Sequence, residues 1–271
     1  MDTIPTTVLG IDVGWSKKRR SAGFATLTID DGIIVDLATT SAFVDDDDRW
    51  DALQRVTRGV SFIDGVGIDG PLLPGLIHDP EIPYRHAEEI LSKGPFQKRG
   101  KAGQSSSAVG RVLHEHATRL AHLTMEGVDA GYFRIAAAEH SHAISDFNIV
   151  EAFPTGFMSV ILSDRWHEDN PTDRKNRAGH YWAASMSTDG PLARVMESLG
   201  VSDPSRLLSI VTDRDERDAV ICAITAMGVI RNRYTAVGDI RHGWIILADR
   251  ESWGESADGA TKWAEAYFPN E

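Results

Sequence analysis

The sequence predicts an α/β fold built on a mixed sheet, and three observations carry that expectation. Apolar runs end abruptly in an acid: VLGIDVGW at 8–15 breaks off at Asp12, GVGIDGP at 65–71 stops at Asp69, and NIVEAFPTG at 148–156 carries Glu151. Short turns join an alternating opening third, as in a strand meander. Longer segments with helical spacing separate the later strands.

Residues 7–13 read as a buried first strand, with Asp12 at its end and Gly14 just beyond. KKRR at 17–20 is a basic turn. GFATLTI at 23–29 alternates apolar with small or polar residues, as a half-buried strand does. DDG at 30–32 signals a tight turn, and IIVDL at 33–37 follows as the third antiparallel strand. The acidic run 45–48 precedes Trp50, Leu53 and Val56, whose spacing of three suits one helix face. Acids favour a helix N-terminus, so this run reads as capping and solvation rather than a metal cluster. GVGID at 65–69 is a short buried strand, and Gly70 and Pro71 turn the chain out of the sheet.

Residues 71–108 break the pattern. They are rich in Pro and Gly and carry Lys93, Lys98, Arg99 and Lys101, with Arg111 just beyond. A loop this long is usually functional or disordered. The two readings are a lid over an anionic substrate and a solvated insertion. Ser105, Ser106 and Ser107 then precede a helix from about Val109, where serine is a normal N-cap. Val112, Leu113, Leu120 and Leu123 give that helix an apolar face. His114 and His116 are two apart and do not share a face, a poor metal signature. A short strand is expected at 132–136, with His140 and His142 in the turn after it. Residues 148–153 form a strand carrying Glu151, and Pro154 opens a helix to about Ile161. Helical patches follow near Trp182 and over 192–199, then a longer helix to about Val229. GWIIL at 243–247 is the final strand, and Trp263, Tyr267 and Phe268 are expected to pack back on the body. With no internal repeat or linker, the 271 residues read as one domain with an insertion.

Composition narrows the function. A formal net charge of −12 disfavours a general nucleic-acid binder, which needs a basic surface for phosphates. The single cysteine, Cys222, sits in apolar VICAITAM and reads as a small core residue. The first residues lack a signal-peptide pattern, and no window approaches the ~20 apolar residues of a membrane span. A soluble, cytoplasmic protein is expected. There is no G-x-S-x-G, and the scattered His and lone Cys give no zinc spacing.

The acids suggest a shared site. Parallel strands face their C-termini to one edge, where ligands bind. Asp12, Asp69 and Glu151 each sit near such an end. Asp215 and Asp218 are three apart on one face of the last helix. Alone they read as capping acids; beside the others they extend the cluster. Clustered carboxylates repel unless a cation lies between them, and Mg²⁺ or Mn²⁺ wants hard oxygen ligands. The candidate metal ligands are therefore Asp12, Asp69, Glu151, Asp215 and Asp218.

GIDVGW, GIDGPL, VEAFPTG, DERDAVICAITA and a closing HGWIIL resemble domain-of-unknown-function family 429, a family of predicted nucleases with the ribonuclease H-like fold. The resemblance spans residues 8–248. It implies a mixed five-stranded sheet in the order 3-2-1-4-5, flanked by helices, the insertion following the fourth strand. It also implies an acidic catalytic site onto which Asp12, Asp69, Glu151 and Asp218 map. The pair Asp215 and Asp218 is similar to the acids that open the last helix of Holliday-junction resolvases. KKRR at 17–20 departs from the family's glycine-rich turn. The implied activity is phosphodiester hydrolysis with Mg²⁺ or Mn²⁺, acting on nucleic acid or nucleotide. Lys17, Arg19, Lys98 and Lys101 are the candidate phosphate contacts. Two other readings stay open. One is an actin-like nucleotide- or phosphometabolite-handling protein that grips phosphate with backbone amides after Asp12. The other is a non-catalytic binding protein of the same fold.

Overall fold

The structure is a computed structural model and describes residues 5–171, 176–186, 190–202, 204 and 208–254. The terminal aromatics Trp263, Tyr267 and Phe268 lie outside the described residues.

The meander forms as expected: β1 (Thr6–Asp12), β2 (Ala22–Asp30) and β3 (Ile33–Ala42) pair antiparallel in sequence order. Asp31 and Gly32 both take positive φ in the β2–β3 turn, as a tight two-residue hairpin requires. Helix α1 (Asp46–Val56) is capped by the Asp45 side chain, which accepts from the Asp48 N–H, so the acidic run does serve the helix start. Next come β4 (Phe62–Ile63), β5 (Gly65–Asp69), and two one-turn helices of the insertion, α2 (His86–Ile90) and α3 (Phe96–Arg99). Helix α4 (Ala108–Asp129) starts on Ser107, whose hydroxyl accepts from the Gly110 N–H. Strands β6 (Arg134–Ile135) and β7 (Ile149–Ala152) follow. Then come α5 (Pro154–Ile161), α6 (Asp164–Asp169), α7 (Arg177–Ser185), α8 (Pro191–Ser198) and α9 (Arg214–Ile230). The hairpin β8 (Tyr234–Asp239) and β9 (Gly243–Ala248) completes the sheet.

The main sheet runs β3-β2-β1-β5-β7-β9-β8, and β4 pairs with β6 separately. Strands β1, β5, β7 and β9 are parallel. The α/β class with a mixed sheet and flanking helices therefore holds, but the implied five strands are corrected to seven. Beyond β7 lie β9, the final strand expected at 243–247, and β8, which was not expected. Strand β8 reads YTAVGD; Gly, Ala and Asp are poor strand formers, and only Thr235 and Val237 turn inward, so its pattern is faint.

Helices α1 and α4 cover one face of the sheet, over Leu9, Ile11, Phe24, Val66 and Ile68. Helices α5, α7, α8 and α9 cover the other. The insertion is a packed layer, with Leu72, Ile82, Ala87, Ile90, Leu91 and Phe96 buried. Among the described residues no helix is long and apolar enough to cross a membrane.

One contact positions the site. Strand alternation puts Gly10 and Asp12 on one face of β1, and Gly67 and Asp69 on the same face of β5. Gly10 pairs with Gly67, and Asp12 with Asp69. A methyl group at Gly10 would lie 1.9 Å from the Ala219 carbonyl oxygen, and one at Gly67 2.1 Å from that of Cys222. Glycine at both places lets the α9 backbone rest on the sheet backbone. The start of α9 is thereby held at the ends of β1 and β5.

Candidate active site

Parallel pairing delivers Asp12 and Asp69 side by side at the C-terminal edge of the sheet. Asp218 arrives at the same place from the start of the second turn of α9. All three line a cleft of about 390 Å³, with Asp215 and Glu151 on its walls. Among the described residues no side chain donates a hydrogen bond to the Asp12 or Asp69 carboxylate. Asp218 has an approach of 3.6 Å from Arg214, a side chain that is mostly exposed.

All three acids are held above the usual carboxylate range, chiefly by burial. Burial pushes Asp12 well above the usual carboxylate range, and the charges of Asp218, Asp69 and Asp215 push it further. Burial does the same to Asp69, helped by Asp218 and Glu151. Asp218 is pushed up to about 7, chiefly by burial; Arg214 opposes the shift and Asp215 adds to it. Cys222 sits beneath them as the buried core residue expected, a free thiol raised by burial and by the same acids.

The other expected ligands are differently engaged. Glu151 is at the edge, but both its oxygens are taken: Arg85 donates to each at 2.7 Å, and the Leu72 N–H donates at 2.8 Å. Asp215 is buried and accepts from Arg19 at 2.6 Å. The α9 cap itself is Asp213. Of the expected phosphate contacts, Arg19 lines the cleft, whereas Lys17, Lys98 and Lys101 are exposed and are not among its lining residues. The insertion closes one side of the cleft with Gly103, Gln104 and Ser105.

Arg85 and Glu88 carry a role that sequence reasoning missed. Arg85 is fully buried and donates to Glu88 at 2.8 Å as well as to Glu151. Glu88 accepts in turn from the Ser105 N–H and hydroxyl. Burial lowers the Arg85 pKa, but Glu151 and Glu88 outweigh it and raise it. The only local trace in the sequence is an Arg and a Glu three apart in PYRHAEEI, a spacing common on solvated helices. Trp15 and Arg214 also line the cleft.

Among the described residues no group of three or more His, Cys, Asp or Glu side chains is arranged to hold a metal ion by itself. Mg²⁺ rarely demands such a cage. It keeps several waters and binds through one or two carboxylates together with substrate phosphates. Two adjacent aspartates with free oxygens and no covering cation fit that requirement. No family model, curated protein or solved structure matches the chain. What stands is an α/β protein with a carboxylate-floored cleft at the C-terminal edge of its sheet.

Proposed function

We propose that this chain is a divalent-metal-dependent phosphodiester hydrolase, a nuclease-like enzyme on an extended ribonuclease H-like sheet, as its resemblance to family 429 implies. The observation carrying the reading is the trio Asp12, Asp69 and Asp218, desolvated and mutually repelling on one sheet edge inside a cleft. The run β3-β2-β1-β5-β7 supports the fold assignment, with β9 and β8 as an added flank.

Bound at Asp12 and Asp69, with Asp218 beside them, Mg²⁺ or Mn²⁺ would polarise a phosphoryl oxygen and acidify an attacking water. The chain's own groups do the rest. Asp218, beside them in the cleft, would accept a proton from the nucleophile. Arg19 and Arg214 at the rim attract the phosphate, while Glu151 holds Arg85 and braces the cleft wall. The raised carboxylates bind protons without the cation, so loading releases them. A cytoplasmic setting goes with this reading.

Purified protein supplied with Mg²⁺ or Mn²⁺ is expected to cut members of a panel of single-stranded, hybrid and branched nucleic acids and dinucleotides. Asp12→Asn is expected to abolish the cutting. Calorimetric metal binding with every substrate left whole would overturn the reading.

A further inference from the structure

The cations of the cleft set a scale for what it takes. Among its lining residues the basic ones are Arg19, Arg85 and Arg214. Arg85 is consumed by Glu151 and Glu88. That leaves two exposed guanidiniums, each already beside an aspartate. A protein that binds a nucleic-acid duplex commonly contacts about 6–10 phosphates. Two lining cations in a chain of formal net charge −12 do not meet that demand. The volume, about 390 Å³, belongs instead to the small-ligand range of roughly 300–1,000 Å³.

Trp15 supplies the second half of the argument. It follows Gly14, whose φ of 59° swings the chain off the end of β1. The indole lines the cleft yet is 61% exposed. A large apolar ring left in water beside a polar floor has a natural use as a stacking surface, since every nucleobase offers a π-face.

We infer that the substrate is a dinucleotide-scale phosphodiester whose base stacks on Trp15 while its phosphate meets Asp12 and Asp69. This rests on the phosphodiesterase reading above. Two features of the structure divide the work: Trp15 reads the base, and the acid edge reads the phosphate.

Binding of adenosine monophosphate and of ribose phosphate, both with Mg²⁺, tests the stacking. The nucleotide is expected to bind roughly tenfold tighter or more. Trp15→Ala should erase that difference without changing ribose phosphate affinity, and Trp15→Phe should restore most of it. Because Trp15 is exposed, these variants are expected to fold. Nucleotide affinity should fall only gently with salt, because a mononucleotide carries one phosphate and no condensed counterion atmosphere. Equal binding of the two ligands, or indifference to Trp15→Ala, overturns the inference. Cleavage of a dinucleoside monophosphate and of a short duplex separates this inference from the reading beneath it. Cutting of the dinucleotide alone supports both. Cutting of the duplex alone overturns the substrate scale and keeps the hydrolase. Trp15-dependent nucleotide binding with neither substrate cut overturns the hydrolase and keeps the stacking surface.

Discussion

Asp218 titrates near 7 in the folded chain, against an ordinary value of 3.8. Between those values the folded state holds the extra proton, so stability from this group is full at low pH and is lost as pH rises through 7. Asp12 and Asp69 shift in the same direction. Burial gives His114 and His167 the opposite sign: both are held neutral, so stability falls as pH drops below about 6.5. The clean readout is therefore the difference between wild type and Asp218→Asn in chelator. The variant is expected to be more stable at pH 8 by on the order of 2 kcal/mol, and the gap should shrink towards pH 5. Magnesium should narrow it at pH 8 by stabilising wild type through binding. Urea midpoints across pH measure all three effects. A variant no more stable than wild type at pH 8 would mean that like charges do not burden the site.

At the scale of elements, the site exists because α9 lies on the sheet without side chains between them. Gly10→Ala would drive its methyl into the Ala219 carbonyl, backbone against backbone. The cost is expected to be about 3 kcal/mol, at the upper end for overpacking. Gly67→Ala should behave alike. Gly179→Ala, in α7 with nothing within 4 Å of the new methyl, should instead gain about 0.5–1 kcal/mol from helix propensity. Chemical denaturation of the three variants checks the contrast, and comparable losses in all three would discount the close approach. The sequence made the strands legible, because apolar runs stopped at Asp12, Asp69 and Glu151. It left the glycines unexplained, because their partners Ala219 and Cys222 lie on a helix far along the chain. It also left the insertion as either a basic lid or a solvated loop, where the structure has a packed layer. Charge can be counted along a chain, but the burial that separates Arg85 from Lys98 and Lys101 is a property of the packed molecule. The Arg85–Glu151 pair spans 66 positions, and no local period reports a contact of that range.

Over the whole molecule, Arg85 joins parts that the chain delivers separately. Its guanidinium donates to Glu151 on β7, to the Leu72 carbonyl at the root of the insertion, and to the His242 carbonyl in the β8–β9 turn. Removing one partner of a buried ion pair typically costs about 3–5 kcal/mol, because the other charge is left uncompensated. Arg85→Ala strands both Glu151 and Glu88, so losses in that range are expected. Hydrogen exchange should rise first between residues 72 and 105 and near residue 242, ahead of α9. Glu151→Gln is the more incisive change, since it keeps the shape while weakening the pair. If Glu151 braces Arg85, this variant should lower the urea midpoint yet leave Mg²⁺ affinity within a few-fold of wild type. Asp12→Asn should do the reverse, costing metal affinity and not stability. A collapse of Mg²⁺ affinity in Glu151→Gln to match Asp12→Asn would instead make Glu151 a ligand, with Arg85 as the partner it leaves when the ion binds.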